Sequence, residues 1–518
     1  CNDKYHTDIT FQNIVQSGLD DPKVYQLLQK GYTQNIFQFS SKGMTKFLVS
    51  MQPDKIEDLI AANALFRPAT LDSGSTDKYV DCKLGDADPV YLWGTYNAMK
   101  NTYGVLCYQE QLAQIAREVG KFSLGEGVKL VKLISKKKVD KILALRDKFM
   151  AGANENGCPK EDAEAIWHMF EVAGGYLFNK SHATAYAVTA YAGAYLKANY
   201  PTAFYTIALQ WAKDDEIPTL MSEMELCSEA KIVPPDINVS GGTFITDYET
   251  NKIFWSLSRI KMLGAKATEW IINERNVRGE FSSIENFIER IFRYKLKLYK
   301  YWDDPDNPNE ATKCPVNARH VRHLILSGCF DKVENAQSVI ERYAILEKAA
   351  KCLGFEISEK DIPEDLRNKH YFWSQQQIAI SGIGAIDYKR IYDNSEAKPQ
   401  IKGKASWALL KNIQDPDYDG KRVAICANIV DIEEKKFKDK KTGENRVFCK
   451  LLLQQNNDLV EMVIWNDEWM NVRATLCKGG SLSSAKNKML ICSAQVKYSD
   501  YTGGNNLQLY KSSIIDIL

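Results

Sequence analysis

The stretch GGYLFNKSHATAYA, residues 174–187, concentrates residue types suited to binding an anion. Its paired glycines break one helix, and Asn179 and Ser181 are both side chains that can cap the next. A helix N-terminus carries unpaired N–H groups and the positive end of the backbone dipole, so it attracts negative charge. Lys180, Ser181 and His182 at that turn add a cation and hydrogen-bond donors, a set that fits a phosphate or triphosphate. An ordinary capped helix with a surface lysine would use the same residues.

Two further segments carry clustered cations. In GEGVKLVKLISKKK, residues 125–138, Lys129, Lys132 and Lys136 fall at i, i+3 and i+7, on one helical face, with Lys137 beside them. In the last hundred residues, Lys435, Lys436, Lys438 and Arg446 surround Phe437, Phe448 and Trp465. Interleaved cations and aromatic rings suit a single nucleic-acid strand, the rings stacking on bases. Burial of the same rings in a barrel core is the alternative. A third basic run, RYKLKLYK, lies at 293–300.

These segments need elements to hold them. Residues 1–235 read as mostly helical, with helices at 56–66, 108–119, from 127 through the lysines, at 162–173 and at 181–199. A Gly- and Asp-rich loop is expected at 72–90. In the helix 181–199, Ala183, Tyr186, Ala187, Ala190 and Ala194 form a small-residue face for close packing. Residues 236–395 are mixed, with a short strand pair near 243–256 and helices after it. The polar stretch 300–315 reads as an exposed loop, and 396–420 as a linker. From 421 onward, alternation at Val423, Ile425, Ala427 and Ile429, then at Cys449, Leu451 and Leu453, then at Val460, Met462 and Ile464, marks three strands. A short helix at 468–476 and strands near 489–496 and 507–509 complete a Greek-key OB barrel.

Composition sets the limits. With 67 basic and 66 acidic residues in 518, the net charge of +1 does not by itself suggest a nucleic-acid binder; the clusters do. The 12 cysteines include no Cys-x-x-Cys pair, which gives a zinc site little support and points to a reducing, cytoplasmic compartment. No run of about 18 apolar residues is present, so no membrane span is expected.

FNKSHATAYA (178–187) followed by AYLKANYPTAF (194–204) resembles a signature in the fingers of the bacterial-type, C-family DNA polymerase III alpha subunits. NIFQFSSKGM (35–44), ALFRPATLDSG (64–74), TYGVLCYQEQ (102–111) and PPDIN (234–238) are similar to further landmarks of that family and occur in its order. The resemblance implies a multidomain C-terminal portion. Its parts are mostly α-helical fingers at 1–235, a mixed α/β helix-hairpin-helix region at 236–395, the linker at 396–420 and the all-β OB domain at 421–518. It implies that Arg67, Lys132, Asn179, Lys180, Ser181 and His182 meet an incoming deoxynucleoside triphosphate. The family carries a basic pair where this chain has Val131 and Lys132. SRIKMLGAKATEWIINER (258–275) resembles a helix-hairpin-helix, a hairpin whose two glycines offer backbone amides to a DNA phosphate. Here Met262 stands at the first glycine and Gly264 at the second, followed by Lys266. DNA contacts are expected from Lys136, Lys137, Gly264, Lys266, Lys435, Lys436, Arg446 and Phe448. Gly382 and Gly384 align with a serine-glycine-histidine-proline segment of the family and receive no role.

The family's palm aspartates, which hold the catalytic magnesium ions, lie before the segment resembling NIFQFSSKGM, so no catalytic aspartate is placed in this chain. Activity is expected only once a palm is supplied. Cys1 also fits a chain that begins after a protein splice, and a truncated fragment is the competing account. The implied partners are primer-template DNA, the nucleotide and the palm. A sliding clamp is left open as a further partner, since no clear glutamine-plus-aromatic peptide for one is seen between 330 and 420. A non-catalytic DNA-binding accessory protein derived from such a polymerase is the rival reading.

Overall fold

The computed structural model describes residues 7–135, 139–173, 176–292, 314–384, 388–395, 401, 405–438, 443–456, 458–477, 480–486, 488–499 and 504–517. The chain divides into two compact units, 1–204 and 205–518. This is coarser than the four segments expected from sequence, and the division falls inside a helix, Pro201–Trp211.

The first unit is helical. Its main helices are α1 (Pro22–Gln29), α2 (Lys42–Met51), α3 (Ile56–Leu65), α4 (Ser75–Leu84), α5 (Gln109–Glu118), α6 (Leu124–Ser135), α7 (Val139–Glu155), α8 (Lys160–Ala173) and α9 (Lys180–Asn199). The small face of α9 packs as its sequence predicts. Ala183, Ala187, Ala190 and Ala194 are fully buried, and without side chains beyond Cβ they let α9 lie close against α1 and α3. Tyr186 departs from the expected face: it is half-buried at the surface. A second core under α5–α8 is built from Leu112, Ile115, Phe149, Trp167 and Phe170. There Gly152 is required by contact, since a Cβ would stand 2.0 Å from the Gly120 carbonyl oxygen.

The loop expected at 72–90 is largely a helix. Gly74 and Gly85, both with positive φ, bracket α4 at its two ends. Thr76, Tyr79 and Cys82 recur at helical spacing and are buried. The Tyr79 hydroxyl donates to Asp58 over 3.0 Å, and Lys83 pairs with the same carboxylate over 2.8 Å. Polar composition suggested a loop; tertiary partners for Tyr79 and Lys83 decide for a helix.

After the rest of the helix Pro201–Trp211, the second unit continues with α10 (Ile217–Cys227) and a small sheet of β1 (Lys231–Val233), β2 (Ile245–Asp247) and β3 (Lys252–Phe254). β2 and β3 are the expected antiparallel pair, and β1 adds to β3 in parallel. Helices α11 (Ala265–Arg278), α12 (Ile284–Ile291), α13 (Ala318–Leu326), α14 (Arg342–Leu353) and α15 (His370–Ser381) share one apolar core that includes Ile271, Phe287, Leu324, Leu346 and Trp373. The basic run 293–300 and most of the expected loop 300–315 lie outside the described residues.

After α16 (Tyr388–Asn394) and β4 (Ser406–Trp407) come β5 (Arg422–Lys438), β6 (Asn445–Gln455), β7 (Asp458–Ile464), α17 (Asn466–Cys477), β8 (Met489–Ser499) and β9 (Gly504–Ile517). The order β5-β6-β7-β9-β8 returns to β5, so five strands close an OB-like barrel. β5 serves both ends of the closure. Its first half pairs with β8 and its second half with β6, with a register shift between Ile429 and Asp431 where the strand changes partner. Two details differ from the sequence reading. Ala424 and Cys426, outward by alternation, are buried because Tyr388 and Tyr392 cover that face. The stretch read as linker contributes Ala408, Leu410 and Ile413 to the barrel core.

Candidate nucleotide and nucleic-acid interface

The turn into α9 is fixed by two chain segments running side by side. Phe178 N–H donates to the Cys107 carbonyl and Gln109 N–H to the Phe178 carbonyl, each over 2.9 Å. The buried Gln111 side chain accepts from the backbone N–H groups of Cys107 and Tyr108. The YQEQ segment is thereby held against the start of α9. Asn179 is the N-cap, its Oδ1 accepting from His182 N–H over 2.8 Å. Ser181 lies inside the first turn with its side chain exposed.

The helix end is already occupied by a carboxylate. Glu110 accepts from Lys180 N–H over 2.9 Å and from Asn179 Nδ2 over 3.0 Å. The favourable place for an anion at this terminus is thus taken by a side chain from the YQEQ segment. Sequence reasoning quoted that segment but missed this contact, which joins residues far apart in the chain.

Four of the six residues expected at the nucleotide, Arg67, Asn179, Lys180 and His182, are spread over three clefts, and Ser181 lines none of them. Arg67 and His182 line one of about 290 Å³, together with Ser41, Asn63, Phe178 and Tyr186. The Arg67 guanidinium lies 4.8 Å from the centre of the Phe178 ring. The His182 ring lies 5.5 Å from Phe178 and 4.1 Å from Tyr186, and Tyr186 lies 5.0 Å from Phe37. A cation and a run of aromatic faces therefore border this cleft. Lys180 lines a smaller one of about 110 Å³ with Tyr108 and Glu110, its Nζ 5.6 Å from the Tyr108 ring. Asn179 lines a third, of about 350 Å³, with Arg117 and Val131. Lys132 is exposed on α6 and lines none of the three. Lys136 and Lys137 lie outside the described residues.

In the second unit the hairpin is formed by a tight turn at Leu257–Arg259 and the start of α11, with Gly264 at its N-cap position. Met262 holds φ +71°, the left-handed region that favours glycine. Gly264 itself has φ −68°. The first glycine position of the motif therefore keeps its backbone shape although methionine occupies it. Lys261, Met262, Gly264 and Lys266 are exposed. Arg259 anchors the hairpin from behind, donating through Nη2 to the carbonyls of Leu209, Gln210 and Ala212.

On the barrel, Phe437, Phe448 and Trp465 form one ring cluster, with centroids 5.4–5.9 Å apart. None belongs to the barrel core, and Trp465 is 44% exposed. In the β5–β6 ladder Lys435 stands opposite Phe448, and Phe437 opposite Arg446, so these four share one face. Lys436, opposite Val447, projects from the other. Lys435 and Arg446 each have a glutamate nearby, Glu433 at 3.1 Å and Glu444 at 3.7 Å; surface pairs of this kind are weak.

Among the described residues no three His, Cys, Asp or Glu side chains gather to hold a metal ion, and no helix is long and apolar enough to cross a membrane.

Comparison with known proteins places these features. Residues 1–157 match the bacterial DNA polymerase III alpha subunit finger domain, and residues 229–300 match a helix-hairpin-helix motif. The DNA polymerase III subunit alpha of Escherichia coli strain K12 is 28% identical over 96% of this chain and 42% of its own length. That of Aquifex aeolicus is 35% identical over 65% of this chain and 27% of its own length. That of Thermus aquaticus is 36% identical over 53% of this chain and 23% of its own length. The chain spans less than half the length of these curated relatives. With a finger-domain match, a helix-hairpin-helix match and relatives of one name along nearly the whole chain, it is similar over nearly its whole length to a C-terminal portion of the bacterial DNA polymerase III alpha subunits.

Proposed function

We propose that this chain is the C-terminal, fingers-to-OB portion of a replicative polymerase alpha subunit, binding the incoming deoxynucleoside triphosphate and primer-template DNA for template-directed synthesis. The observation that carries the reading is the cleft at the first turn of α9. It brings Arg67 and His182, distant in sequence, to one opening bordered by aromatic faces. The guanidinium suits a phosphate oxygen and the rings suit a base. Lys180, which follows the Asn179 cap at the start of the same helix and lines a separate cleft, offers a further cation. The hairpin at Lys261–Lys266 and the Lys435, Phe437, Arg446 and Phe448 face of the barrel serve the duplex and the template strand.

Magnesium enters this reading only through a palm outside the chain. Ions held there would supply activation of the primer hydroxyl and stabilisation of the leaving pyrophosphate. The chain's own residues bind and orient. The test is primer extension with magnesium and all four deoxynucleotides, with this chain alone, the matching palm fragment alone, and both together. Activity only in the mixture supports the reading. A mixture that stays inactive, while the chain alone binds primer-template DNA in a salt-dependent way, favours a DNA-binding accessory protein. One observation leans that way: Glu110 already fills the anion-attracting end of α9.

A further inference from the structure

Beside the hairpin lies a basic helix face that the motif does not include. α13 reads ARHVRHLIL, with no acidic residue in its first turn. His323 Nδ1 lies 2.6 Å from the Lys261 carbonyl oxygen, which ties α13 directly to the hairpin backbone. A carbonyl only accepts, so Nδ1 carries the proton and Nε2 points elsewhere. His320, one turn nearer the helix start, accepts from Asn317 N–H through Nδ1, which leaves its Nε2–H as a donor. Arg319 precedes His323 by four residues and shares its face. Arg319 is exposed, and neither it nor Lys261 nor Lys266 has a carboxylate partner among the described residues. Arg322 is different: it turns to Asp361 over 2.6 Å and is neutralised there.

We propose that Arg319 and His323 of α13 form a second DNA-backbone contact, which continues the phosphate grip of the hairpin along the duplex. The inference rests on the reading that the hairpin binds DNA. Three observations point to a phosphate backbone. Arg319, Lys261 and Lys266 have no carboxylate partner among the described residues. His323, on the same helix face as Arg319, is hydrogen-bonded to the hairpin main chain at Lys261. Arg319 is exposed. A duplex presents closely spaced charges, so cations set next to a phosphate-binding hairpin each release further counterions on binding.

Fluorescence anisotropy of a labelled primer-template duplex, titrated with the full chain at several salt concentrations, tests this. Arg319→Ala is expected to weaken binding about five- to tenfold at low salt, as loss of a charged contact does. It should also flatten the plot of log affinity against log salt by about one unit. Arg319→Lys should restore most of the slope. His323→Asn, whose amide can keep the tie to Lys261, should weaken binding without lowering the melting temperature. Lys266→Ala reports on the hairpin separately. If Arg319→Ala leaves affinity and slope at wild-type values, the inference is overturned, and a loss in Lys266→Ala shows the hairpin reading still standing. If Arg319→Ala lowers both while Lys266→Ala changes nothing, the α13 contact stands and the hairpin reading falls.

Discussion

At Met262 a side chain sits where the backbone favours none. A non-glycine residue at φ +71° carries a strain of roughly 1–2 kcal/mol, and glycine relieves it while adding freedom to the unfolded chain. Met262→Gly should raise the melting temperature of the second unit, by the equivalent of up to about 1 kcal/mol. The same change uncovers the hairpin amides, so duplex affinity should rise; unchanged affinity would argue against phosphate contact at this turn. Asp58 is the opposite case, a carboxylate with no exposure that relies on Lys83, Tyr79 and the Asp54 amide. Lys83→Met strands that charge and should cost about 3–5 kcal/mol of stability, measured by denaturant unfolding. Asn179 was legible as a cap because capping is local. Glu110, which binds the same turn, was not, because nothing in the sequence near Asn179 names it.

At the level of elements, α9 depends on its alanine face. Ala187→Leu forces a larger side chain into the core that α9 shares with α1 and α3 and should cost about 1–3 kcal/mol by overpacking, read as a lower melting temperature. The junction of α10 and β7 carries a pH-dependent term. Burial, and then the nearby Glu225, raise the Asp458 carboxyl above its ordinary value, with Lys411 and a Ser222 hydrogen bond opposing. A carboxyl whose folded value is raised costs stability when ionised. That cost is present at neutral pH and disappears as pH falls through the raised value towards 3.8. Asp458→Asn should therefore melt higher than the wild type at pH 8, and the difference should close by pH 4. A gap that widens on acidification would refute this sign.

For the molecule as a whole, the barrel extends beyond its strands. Tyr388 and Tyr392 cover one face, and Ala408, Leu410 and Ile413 enter the core. A fragment of residues 388–518 should unfold cooperatively, whereas 421–518, cut at the boundary that strand alternation suggests, loses at least two large buried side chains. Burying a leucine or isoleucine is worth about 1.5–3 kcal/mol each, so the shorter fragment should be less stable by roughly 4 kcal/mol or fail to fold. Circular dichroism melts of the two fragments decide it.

The sequence by itself determined the helices with strong periodicity, such as α3, α5 and α9, and the order of the barrel strands. Both follow from local patterns of apolar residues. It also carried the resemblance to the polymerase III alpha subunits, through short motifs that keep their order. Tertiary structure alone decided the rest. Tyr79 and Lys83 made a helix of an apparent loop by finding Asp58. The segment after Ser406 became part of the barrel because its apolar side chains had a core to enter. Arg67 and His182 came to one cleft while Lys132 stayed outside it. In each case the deciding partner lies far away in the chain, and long-range packing and pairing leave no periodic trace in the residues on either side.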